Sequence, residues 1–163
     1  HPFYQELQEA MLKGVLAPSH RVAELLKERV SLEDCANGFI FDGWVRALED
    51  LTHFDPGFDA VLNISVSRET SVKRISGRRI CTSNGKTYNI YTLPPELLAE
   101  CTGELIQRKD DTEEAVKARL DIYYTQTQEV LDYFSKKGLL REVNGEGTPA
   151  EVFELALRAL GVN

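Results

Sequence analysis

The chain has 163 residues, enough for one domain with a real core. Its 19 Lys+Arg face 26 Asp+Glu, and the net charge of -7 argues against a general nucleic-acid-binding surface. Three cysteines do not make a secreted disulfide framework, and no apolar run approaches the roughly 18 residues of a membrane span.

No signal peptide is visible, so a soluble, cytoplasmic protein without membrane or nucleic-acid partners is expected. The chain opens on His1 and its single methionine is Met11, so an upstream segment is expected.

The first predicted helix has Pro2 at its opening, Phe3, Leu7 and Met11 on one face, and Gly14 as its stop. A VLAP loop follows, and Ser19 is expected to cap a second helix carrying Val22, Leu25, Leu26 and Val30 at helical spacing. FIF at 39–41, between Gly38 and Gly43, reads as a buried strand over 38–42 that ends on Asp42. Asp42 is a turn-former beside Gly43 or a functional carboxylate at a sheet edge, where open parallel sheets bind ligands. A short helix is predicted over 47–51, then the loop HFDPGFD and a second buried strand over 60–66. Ser67 opens a helix that ends at Gly77. The longest predicted helix starts near Asp111 and runs to about Lys137. LLREV (139–143) is a third strand, and TPAE (148–151) is a capping box opening a last helix that stops at Gly161. Strands alternate with helices, which predicts an α/β fold with a parallel sheet.

The stretch from 78 to about 108 breaks this rhythm. RRICTS and KTYNIY flank Asn84-Gly85, the signal of a two-residue hairpin turn, and Pro94-Pro95 and ELIQR follow. An insertion of this length is expected to be a lid or binding element rather than decoration. Arg78 and Arg79 stand at its entry and Arg108 at its exit, and Arg46, Arg74 and Arg119 sit near other strand ends or insertion roots. Any one of them is most simply a solvated charge. Together, in a chain of net charge -7 with 11 arginines and 8 lysines, they suit a polyphosphate. Asp42 then supplies a carboxylate for a hydrated Mg2+.

IFDGWVR resembles the Asp-Gly-aromatic-Pro-Arg signature of adenylate kinases and related nucleoside monophosphate kinases. GRRICTSNGKTY resembles the start of their lid, RKDDTEEAVKARL the segment leaving it, and NGEGTPAEVF the stretch bordering the adenine of ATP. The likeness runs in order from about residue 1 to 163. It implies a P-loop-kinase-type parallel sheet flanked by helices with a small β-hairpin lid. The implied domain covers 1–163, with monophosphate-binding helices at 1–30, a core at 31–77 and 109–163, and the lid at 78–108. The implied reaction is reversible phosphoryl transfer from MgATP to AMP, giving two ADP, by a monomer. Arg46 would grip the AMP phosphate, and Arg108 and Arg119 would clamp the transferring group. Arg78 would reach the ATP phosphates, Arg74 would lie against the adenine, and Asp42 would orient Mg2+ through water. Val15, Leu16, Ala17, Gly43 and Asp50 would lie along AMP, and Thr87, Tyr88 and Gly147 near ATP. Asp110 and Asp111 would hold the lid arginines on closure.

The chain departs from the family pattern in four places. Val45 replaces the signature proline. Asp50 stands where the family has a glutamine that reads the AMP adenine, and a carboxylate cannot donate the amide's hydrogen bonds. No Gly-x-x-x-x-Gly-Lys occurs, so the family's central strand and phosphate cradle are expected upstream. The lid positions at which some relatives bind zinc hold Cys81, Asn84, Cys101 and Glu104, a poor tetrahedral set, so two ordinary cysteines without zinc are expected. Cys35 reads as a small buried hydrophobe. Two alternatives stay open: a non-catalytic nucleotide-binding or interaction module without a P-loop, and a UMP/CMP kinase. These 163 residues alone are expected to be catalytically dead and poorly folded, because two strand edges would lie unpaired.

Overall fold

The computed structural model describes residues 3–13 and 17–162, with side chains from 11 to 13 left aside. Pro2, Gly14, Val15, Leu16 and the Met11 side chain, all named above, lie outside the described residues.

In chain order the helices and strands begin with α1 (Tyr4–Lys13), α2 (Ser19–Val30), α3 (Leu48–His53), β1 (Val61–Ser65) and α4 (Arg68–Ser76). β2 (Arg78–Cys81), β3 (Thr87–Asn89), α5 (Pro95–Leu98) and β4 (Leu105–Ile106) form the insertion. α6 (Glu113–Ile122), α7 (Gln128–Lys136), β5 (Leu140–Asn144) and α8 (Pro149–Leu160) complete the chain. β1 pairs with β5. Val61 N–H donates to Leu139 O at 3.0 Å and Gly145 N–H to Ser65 O at 2.7 Å, so the strands run parallel. Helices flank them along the chain, and the fold is α/β, as expected.

Contacts group the chain into two compact units, 1–63 with 122–141 and 64–121 with 142–163. The first unit has its core where Val45, Val130 and Phe134 are buried, with Trp44, Leu51, Phe58 and Val61 packed against them. Burial of each such side chain is worth about 1.5–3 kcal/mol. Phe41 meets Phe54 and Phe58 edge-on at 6.2 Å, and Phe58 meets Phe134 at 5.5 Å.

The expected strand over 38–42 is not one. That segment is irregular, with Ile40 96% exposed, Phe41 turned into the aromatic cluster and Phe39 half-exposed against the Phe41 ring at 4.9 Å. A strand needs a ladder partner, and no strand among the described residues pairs with this one. The strand expected over 60–66 is shorter and half-buried: among the described residues β1 pairs on one side only, and Ile64 is 48% exposed. Ser19 does not cap α2, since Pro18 is the N-cap and Ser19 the first helical residue. Cys35 is half-buried rather than buried, with an Arg29 guanidinium nitrogen 3.0 Å from its sulfur.

In the second unit, Ser67 caps α4 by accepting from Thr70 N–H, and Gly77 ends it. An N-cap hydroxyl of this kind is worth about 1 kcal/mol. Thr148 and Glu151 cap α8 reciprocally, with Pro149 at the first turn and Gly161 left-handed at the stop. Glu151 accepts the Thr148 backbone N–H and hydroxyl, which holds its carboxyl below the usual range. The helix expected from 111 to 137 runs unbroken from Glu113 to Lys136 as α6, a π-helical stretch at Tyr123–Thr127, and α7, after a separate 3-10 turn at Lys109–Asp111.

The insertion is a three-stranded antiparallel sheet in the order β3-β2-β4. Its turn is wider than the two residues expected from Asn84-Gly85. Cys81 N–H donates to Lys86 O, which leaves 82–85 as the loop. Thr82 is drawn to the other edge, where its N–H donates to Glu104 O at 2.9 Å. Gly85, at φ 68°, still supplies the left-handed position.

Candidate active site

Asp42 and Arg46 frame a short irregular loop, and both are exposed. Gly43 sits at φ 77°, and Arg46 Nε donates to Gly43 O at 2.9 Å. A Cβ on Gly43 would come within 2.7 Å of Arg46 Nη2, so this glycine leaves room for the guanidinium. The Trp44–Val45 peptide is cis, and Trp44 Nε1 donates to Phe54 O at 3.3 Å. Asp50 is buried, 5% exposed, and its Oδ2 accepts from Arg46 N–H at 2.7 Å and Ala47 N–H at 3.0 Å. This carboxylate oxygen is committed to backbone at the start of α3. Ala17 is half-buried just before α2.

The second unit gathers three of the predicted arginines on two adjacent carboxylates. Asp111 is fully buried and takes a bidentate fork from Arg78, Nε to Oδ2 at 2.8 Å and Nη2 to Oδ1 at 2.6 Å. Asp110 takes the same fork from Arg108, at 2.9 and 2.8 Å. Arg119 Nη1 reaches Asp110 O at 3.4 Å and lies 3.8 Å from its Oδ2. Each fork uses the Nε/Nη2 edge of its guanidinium, so Nη1 on Arg78 and Arg108 keeps both N–H groups for another acceptor.

The Asp111 hydrogen bond raises the Arg78 pKa against the opposing effect of burial. For Asp110, burial acts to raise the pKa, but the Arg108 hydrogen bonds, its own backbone amide and the charges of Arg108 and Arg119 together hold it below 3.8. A carboxylate depressed in this way stabilises the fold at neutral pH. That contribution is lost as pH falls below 3.8 and through the folded value. Gln107, which the sequence did not single out, ties the root of the insertion by donating to Ser76 O and Asp111 O, each at 2.9 Å. Asp111→Ala is expected to destabilise the protein by about 3 kcal/mol, because Arg78 would lose its buried partner. Chemical denaturation measures this, and an unchanged midpoint would refute it.

Arg74 donates to three successive carbonyls, Gly145 at 2.6 Å, Glu146 at 2.9 Å and Gly147 at 3.3 Å. Glu146 Oε1 in turn accepts Ser67 N–H at 2.7 Å, and that bond chiefly lowers its pKa. Asn89 Nδ2 donates to Arg74 O at 2.7 Å. Neither Glu146 nor Asn89 was singled out from sequence, because such side-chain to backbone ties leave no spacing signal. Tyr88 is buried and its hydroxyl accepts from Asn84 Nδ2 at 3.0 Å, while Thr87 and Gly147 are exposed.

The lid cysteines are not two separate thiols: Cys81 and Cys101 form a disulfide. Asn84 Oδ1 accepts Lys86 N–H, and Glu104 bonds to Thr82 through its backbone. A groove of about 580 Å³ beside α4 and α6, bordered by Arg68, Lys73 and Lys117, includes none of the predicted site residues. No helix among the described residues is long and apolar enough to cross a membrane.

The adenylate kinase family model matches residues 2–139. The adenylate kinase of Caldicellulosiruptor bescii is 40% identical over 168 residues, covering 97% of this chain and 78% of that protein. That of Thermodesulfovibrio yellowstonii is 40% identical over 162 residues, covering 93% and 75%. That of Desulforudis audaxviator is 42% identical over 164 residues, covering 94% and 77%. The chain belongs to the adenylate kinase family. Adenylate kinases are nucleotide-binding transferases, so the chain is that of an enzyme, a nucleoside monophosphate kinase. Within the family its signature loop carries Val45, and Asp50 caps α3.

Proposed function

We propose that the protein carrying this chain transfers a phosphoryl group reversibly between MgATP and AMP, giving two ADP, as a cytoplasmic monomer. The observation that carries this reading is the pair of carboxylates, Asp110 and Asp111, with Arg78, Arg108 and Arg119 gathered on them. Phosphoryl transfer calls for positioning and charge neutralisation rather than covalent help. Arginines already oriented by carboxylates, each with donors to spare, suit that task.

Arg78 binds the ATP phosphates, and Arg108 and Arg119 neutralise charge on the group in flight. Asp110 and Asp111 hold these guanidiniums ready and steady them as the 78–108 lid closes and excludes water. Arg46 grips the AMP phosphate with Gly43 beneath it, and Val15, Leu16 and Ala17 lie along the nucleotide. Asp42 orients the hydrated Mg2+ that arrives with ATP. Arg74 and Gly147 border the adenine of ATP, and Thr87 and Tyr88 lie near that nucleotide.

Mixing the complete protein with MgATP and AMP tests the reading. ADP should form, two for each AMP consumed. A protein that binds ATP and forms no ADP from any monophosphate would instead be the nucleotide-binding module.

A further inference from the structure

Arg46 is held by its backbone on both sides. Its N–H donates to Asp50 Oδ2 at 2.7 Å, and its carbonyl accepts from the Thr127 hydroxyl at 3.0 Å. Capping α3 accounts for only part of this. Ala47 N–H, the first free donor of that helix, already has Asp50 Oδ2 at 3.0 Å, and Arg46 lies before the cap. Thr127 is also unusual for a helical threonine, whose hydroxyl ordinarily bonds back to a carbonyl one turn earlier. Here it closes the π-helical stretch Tyr123–Thr127 and reaches a carbonyl 81 residues away in sequence. π-Helical turns concentrate at functional sites. With Nε on Gly43 O, the Arg46 guanidinium, backbone N–H and carbonyl are all anchored.

We propose that Asp50 and Thr127 are positioning residues that hold Arg46 for the phosphate of the monophosphate, and that Asp50 acts through Arg46 rather than by reading the base. This rests on the role given to Arg46 under the proposed function. Asp50 is 5% exposed and its Oδ2 is shared by two backbone N–H groups, so Oδ1 alone is left to accept from a base amino group. A base-reading amide would have been free to donate as well.

The test is steady-state kinetics in the complete protein with AMP and CMP as acceptors. Asp50→Ala should raise the KM for AMP by about tenfold or more, since misplacing a binding group by a fraction of an ångström is costly. Thr127→Val should raise it in the same direction. The AMP-to-CMP ratio of kcat/KM should not move, because both acceptors present the same phosphate. Asp50→Asn, which keeps an acceptor oxygen for the two N–H groups, should recover most of the loss. In an Arg46→Ala background neither change should add further loss, as expected for residues acting through a third.

A shift in the AMP-to-CMP ratio on Asp50→Ala that persists without Arg46 would overturn the proposal in favour of direct base reading. So would a Thr127→Val protein with unaltered KM, which also decides the matter if Asp50→Ala does not fold. Should Arg46→Ala alone leave the KM for AMP unchanged, the role of Arg46 falls, and this proposal with it.

Discussion

Arg108→Ala in the complete protein lowers kcat by about a thousandfold, within the range found for arginines that stabilise phosphoryl transfer, and weakens ATP binding far less. Asp110 already holds one edge of the Arg108 guanidinium through two short hydrogen bonds. In the proposed role the other edge would meet the equatorial oxygens of a phosphoryl group whose charge shifts during transfer. A contact that strengthens only at that moment affects kcat and leaves ground-state binding largely alone. Arg108→Lys keeps the charge and loses the fork, so it should recover only part of the rate. Single-turnover kinetics with a separate ATP titration distinguishes the two effects, and near-normal turnover in Arg108→Ala would remove this residue from the catalytic set.

Reducing the lid disulfide should destabilise the insertion by about 3 kcal/mol, the loop-entropy value for a bridge between cysteines 20 residues apart. The bridge ties β2 to the segment just ahead of β4, and Cys81 is fully buried. Cys81→Ser with Cys101→Ser should produce the same loss and make stability indifferent to reductant. Sulfurs bonded to each other are not thiolates, so chelator should leave the oxidised protein unaffected. Melting with and without reductant, paired with metal analysis, separates the cases. Near-stoichiometric zinc and a chelator-induced fall in melting temperature would show that Asn84 or Glu104 completes a metal site instead.

The features legible in the sequence are those determined by local chemistry. Ser67, Thr148 with Glu151, Gly77 and Gly161 lie where their capping chemistry puts them. The insertion, its antiparallel pairing and the arginines at its roots follow from alternation and turn residues close together in the chain. What depended on a distant partner was not legible. FIF at 39–41 has the composition of a buried strand, but without a paired neighbour Ile40 faces solvent. Asn84-Gly85 suggests a tight turn, yet the competing bond from Thr82 to Glu104 widens it. Nothing in an odd cysteine count says that Cys81 bonds Cys101. Asp50 was legible as a departure from the family glutamine, whereas its bonds to two backbone amides were visible only in three dimensions.

The most direct test of the account is a side-by-side measurement of kcat/KM for AMP, CMP, UMP and GMP with MgATP, using the complete protein. The arginines proposed to grip phosphate would not discriminate between bases, and Asp50 Oδ2 is turned to the backbone rather than presenting an amide. On the proposed function AMP should still be the best acceptor, and these two features should make its preference shallower than a base-reading glutamine would give. A clear preference for CMP or UMP, or no transfer to any of the four, would contradict it.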